Sequence, residues 1–90
     1  MTNRIKLHQQ ALDALYRIEE NNEQLRKMYN NCVEIEKCPN TSASFKKMYL
    51  EQYHDLIKQT RETKAANLQT YAEIMQQLVQ PAIEKALSNN

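Results

Sequence analysis

At 90 residues the chain is read as a single domain, 1–90, able to bury only about 60–65% of the surface its unfolded form exposes, so its stability is modest and help from a partner is expected. It contains no glycine, which removes the residue that supplies positive φ in tight hairpin turns and argues against β architecture. A net charge of +1 with a pI near 7.8 excludes a broad electrostatic footprint for nucleic acid or anionic membrane, and with 41% hydrophobic and 26% charged residues at a mean hydropathy of -0.81 the apolar side chains must lie on narrow stripes.

The opening stretch Met1 to His8 has no uninterrupted apolar run of the signal-peptide kind, and no later run is long enough to span a bilayer; the expectation is a cytoplasmic chain without a membrane partner. From there the first element is predicted as a helix over 3–37. Its apolar positions recur at threes and fours through His8, Ala11, Leu15, Ile18, Asn22, Leu25, Tyr29 and Cys32. That repeat of about 3.5 residues is a heptad seam, which implies left-handed supercoiling against a neighbouring helix. Asn21 with Gln24 three residues on forms a possible capping box, so an alternative division breaks this helix near Asn21.

A turn is predicted over 38–41, where Pro39 precedes Asn40, Thr41 and Ser42, all competent N-caps. The second helix is predicted over 42–80, with Phe45, Met48, Tyr49, Tyr53, Leu56, Ile57, Thr60, Thr63, Asn67, Tyr71, Ile74 and Leu78 on its stripe. An antiparallel hairpin is expected to set small Thr60, Thr63 and Ala66 against large Leu12, Leu15 and Tyr16. Pro81 lacks a donor and is expected to kink or restart the helix, leaving a short terminal helix over 81–88 that docks through Ala82, Ile83, Ala86 and Leu87, with Asn89 and Asn90 frayed. The fold class is therefore all-α, a long antiparallel helical hairpin with a short C-terminal helix. Two helices leave a flank of each seam exposed, which dimerisation into a four-helix bundle would cover. The residues assigned to that self-association seam are Leu15, Ile18, Asn22, Leu25, Leu56, Asn67, Tyr71, Ile74 and Leu78, with Asn22 and Asn67 as amides that select register.

Chemistry-bearing patterns are sparse. Cys32 and Cys38, five residues between them, match neither a redox pair nor a zinc spacing and are expected as free thiols, Cys32 on an apolar face and Cys38 in the turn. Glu51 and His54 have the Glu-x-x-His spacing of di-iron bundles, but on a helical wheel both project to the polar side, and His8 near a helix end reads as a partly solvated imidazole. No metal, cofactor or catalytic residue is assigned, and the chain is expected not to be an enzyme.

The five tyrosines lie on or beside the stripes, as suits interface margins where a ring is covered and its hydroxyl stays wet. The leading expectation is a small adaptor, regulator, inhibitor or accessory factor that binds another protein at the turn end through Met28, Tyr29, Met48, Tyr49 and Tyr53. The alternative is nucleic-acid or nucleotide binding by a dimer through Arg26, Lys27, Lys37, Lys46 and Lys47, where Tyr49 could stack on a base. A third reading makes the chain an obligate subunit of a hetero-oligomeric coiled coil.

Overall fold

The computed structural model describes residues 2–88, without the side chains of residues 2, 82 and 83; the expected fraying of Asn89 and Asn90 lies outside the described residues. Two helices, α1 (Thr2–Lys37) and α2 (Ala43–Ser88), pack antiparallel as a hairpin, and the described residues include no strand and no helix long and apolar enough to cross a membrane. The rod measures 70 × 23 × 16 Å, and its radius of gyration of 20.5 Å compares with about 12 Å for a compact domain of this length. α1 is continuous through Asn21, so the alternative division into shorter helices does not occur.

The turn starts and stops each helix by local bonds. The Cys38 amide reaches back to the Ile35 carbonyl at 3.3 Å, tightening the last turn of α1. Ser42 is the N-cap of α2: its Oγ accepts from the Phe45 amide at 3.3 Å, and its carbonyl accepts the first helical bond from Lys46 at 3.0 Å. Of the three competent caps, the one nearest the helix is used.

Both helices run a strict four-three alternation of covered positions, but in α1 the phase differs from the expected one. Leu7, Ala11, Ala14, Ile18, Asn21, Leu25, Met28, Cys32 and Ile35 face α2, while His8, Leu15, Asn22 and Tyr29 are exposed. The two phases share Ala11, Ile18, Leu25 and Cys32, so only the other half of each heptad separates them. The observed phase covers Leu7 and Ile35 at the ends of the seam; the alternative would place His8 and Glu36 there. On α2, Tyr53, Ile57, Thr60, Asn67, Tyr71, Ile74 and Leu78 are covered as expected, joined by Leu50, Lys46 and Lys64, whereas Phe45, Met48, Tyr49, Leu56 and Thr63 are not.

The register also corrects the expected pairing. Thr60, Thr63 and Ala66 do not lie opposite Leu12, Leu15 and Tyr16: Asn67 meets Asn21, and Ala11 clusters with Ile74 and Leu78, with Leu7, Tyr71 and Met75 packed around them. Small faces large after all, but the small residues are on α1, where Ala11 and Ala14 are 7% and 3% exposed. The middle of the interface is polar, built from Asn21, Thr60, Lys64 and Asn67, and Thr60 satisfies its hydroxyl on the Leu56 carbonyl at 2.9 Å.

α2 passes through Pro81 without ending, so the segment 81–88 is helical as the last two turns of α2 and not as a separate element. At about 1.5 Å per residue α2 outruns α1 by about 15 Å, and the Arg4 guanidinium bonding the Leu78 carbonyl at 3.4 Å fixes where the overhang begins. Ala86 and Leu87, expected to dock, are exposed there; the side chains of Ala82 and Ile83 lie outside the described set.

Candidate functional site

At the turn end, one flank of the hairpin opens into a groove of about 430 Å³ between the end of α1 and the start of α2. Its position follows from the cap. Ser42 sets the phase of α2 so that Phe45 and Tyr49, one turn apart, fall on the same outer edge, with Tyr53 next along at the helix interface. Phe45 and Tyr49 meet edge to face, ring centroids 4.7 Å apart at 63°, an arrangement that holds two large rings in place while leaving both half exposed.

The α1 wall supplies Asn31, Glu34 and Ile35, and Cys38 and Thr41 close the end. Asn31 donates from Nδ2 to the Tyr53 hydroxyl at 3.2 Å, tying the two walls together. The Thr41 hydroxyl donates to Cys38 Sγ at 2.9 Å, and this bond, helped by the Asn40 backbone and the charge of Lys46 against slight desolvation, holds the Cys38 thiol below its ordinary pKa. The groove thus combines an apolar aromatic wall with a carboxylate and hydroxyls at its rim, chemistry that suits an apolar anchor flanked by a donor or a cation.

The five residues assigned to a turn-end surface are divided by the fold. Tyr49 and Tyr53 line this groove, and Met48 is exposed on the outer side of α2. Met28 is half-buried between the helices. Tyr29 lies on the other flank, beside His54, Ile57, Lys58 and Arg61. Phe45, Asn31, Glu34 and Ile35 belong to the groove but were not expected as site residues; the spacing of Phe45 from Tyr49 was the available signal.

The basic residues of the nucleic-acid reading do not form one surface. Lys27 pairs with Glu23 at 3.4 Å, and Lys46 donates to the Glu36 carbonyl at 3.2 Å from a partly covered position. Lys46 and Lys47 share an open groove with Glu36, Glu51 and His54, while Arg26 and Lys37 are exposed on α1 outside it. Glu51 and His54 lie on this outer face, and among the described residues no three His, Cys, Asp or Glu side chains are gathered as metal ligands. Of the assigned self-association seam, Ile18, Leu25, Asn67, Tyr71, Ile74 and Leu78 face the other helix of the same chain, and Leu15, Asn22 and Leu56 remain outside. No protein-family model matches the chain, and neither curated proteins nor solved structures include one significantly similar to it.

Proposed function

We propose that the chain is a non-enzymatic protein-binding module, an adaptor or regulator acting in the cytoplasm on a larger complex, and that the turn-end groove is where the partner docks. The observation that carries this reading is the edge-to-face Phe45–Tyr49 pair, held half exposed on the groove wall with no covering element among the described residues. Aromatic side chains in a pocket with a polar rim are the usual anchors of protein interfaces. Glu34 at the rim favours a partner segment whose apolar anchor is followed by Lys or Arg. The test places a photo-crosslinking residue at Tyr49 and, as control, at Gln69, identifies the protein attached only in the first case, and measures its affinity when purified. Phe45→Ala and Tyr49→Ala are expected to weaken that complex at least about tenfold with helicity unchanged; affinity equal to wild type in both would remove the groove from consideration.

A further inference from the structure

The hairpin leaves a second apolar surface, at the opposite end and on the opposite flank from the groove. Tyr29 shares its side of the rod with His54, Lys58 and Arg61, which identifies one face made from both helices. Whole heptads further toward the open end, the same sides carry Leu15 on α1 and Leu68 and Val79 on α2. Ile5 and Leu12 continue the strip on α1, and Leu12, Leu15 and Tyr16 border one groove with Asp13 and Glu19 at its rim. Ile5 and Leu12 are 62% and 65% exposed, Leu68 and Val79 close to half. The remaining positions of the strip in this half are His8, Ala72 and Met75, with Glu19 at its inner edge as the one charged residue. Toward the turn the same face changes to Arg26, Glu51, Lys58 and Arg61.

We infer that this open-end face docks a second copy of the chain, antiparallel about a two-fold axis near Leu12 and Ala72. Area is the first argument. The chain exposes 7307 Å², about 1,800 Å² more than the roughly 5,500 Å² of a compact protein of its mass. An antiparallel overlap about 40 Å long and two helices wide covers about 800 Å² of each copy, the share of a standard stable interface. Charge is the second. A side-by-side parallel pair would bring each copy's Arg26, Lys58 and Arg61 against the same residues of the other, whereas the antiparallel overlap leaves Arg26 and Lys58 beyond its edge and holds each copy's Glu19 and Arg61 well apart from the same residue of the other. The last turns of α2, which outrun α1, then lie along the other copy. Both turn-end grooves stay free, at the two tips of a rod about 100 Å long. This arrangement does not depend on what the grooves bind.

Light scattering after size exclusion, from low to high micromolar, is expected to give twice the 10.6 kDa of one chain, and small-angle scattering a maximum dimension of about 100 Å. The double substitution Leu12→Glu, Leu68→Glu is expected to yield a helical monomer, while Leu56→Glu on the other flank stays dimeric. A wild-type monomer at every concentration overturns the inference and leaves the face to a partner of different sequence. A dimer no longer than the 70 Å of one chain overturns the antiparallel geometry, and a dimer that survives Leu12→Glu, Leu68→Glu overturns the face.

Discussion

Asn67 donates from Nδ2 to the Asn21 side-chain Oδ1 at 2.8 Å, joining the two helices across 46 residues of sequence. Asn21 is 7% exposed and Asn22, beside it, is open to solvent. Asn21→Ala removes the acceptor and leaves the Asn67 amide partly covered without a partner, so it is expected to cost about 1–2 kcal/mol in urea unfolding, and Asn22→Ala less than about 0.5 kcal/mol. Replacing Asn21 and Asn67 together by Leu is expected to recover the loss, because no unpaired polar group then remains. Equal costs for the two alanine variants would return the seam to the phase through Asn22.

Ala14 tests the same phase by volume. At 3% exposure it sits where α2 approaches closely, and a larger side chain has nowhere to go. Ala14→Leu is expected to lower stability by about 1–3 kcal/mol in thermal or chemical melts. A neutral or stabilising outcome would mean that the helices are less closely packed there than their burial implies.

The helical class, the turn and the hairpin were legible because each rests on local chemistry: no glycine, Pro39 before a run of caps, and stripes at helical spacing. The seam phase of α1 was harder, because Asn21 and Asn22 are the same residue type and Leu15 is a stronger apolar signal than Ala14. The decision rests on the ends, Leu7 and Ile35 against His8 and Glu36, and on Ala14 admitting a close approach, a property that counts only when the second helix is in place. Helical continuity through Pro81 was illegible for a related reason: one missing backbone bond near a helix end is offset by intact bonds on both sides. The groove was half legible, through Tyr49 and Tyr53. Its α1 wall depends on register, which no periodicity reveals.

Ser42 controls the groove through the phase of α2. Removing its hydroxyl by Ser42→Ala takes the acceptor from the Phe45 amide and is expected to cost about 1 kcal/mol. Aspartate at this position retains a capping oxygen and is expected to hold stability within about 0.5 kcal/mol. If Ser42→Ala melts as wild type, the cap contributes nothing to helix initiation.

Cys38 reports on the other end of the groove. Its thiol is held below the ordinary value first by the Thr41 hydroxyl, which favours the thiolate, so at a given pH near neutrality more of Cys38 is ionised in the folded chain than after unfolding. The sign for stability follows: the contribution is present above the unfolded thiol pKa and is lost as pH falls through the folded value. In a Cys32→Ser background, where Cys38 is the single thiol, the rate of iodoacetamide alkylation is expected to rise with pH to a midpoint below that of the urea-unfolded chain. Thr41→Val deletes the donor while keeping the shape, and is expected to move that midpoint to higher pH with the helices intact. A midpoint unmoved by Thr41→Val would assign the depression to the Asn40 backbone and Lys46 instead. Because Cys38 closes the groove that Phe45 and Tyr49 line, a partner bound there is also expected to slow the alkylation, and a bound partner that leaves the rate unchanged must sit elsewhere on the rod.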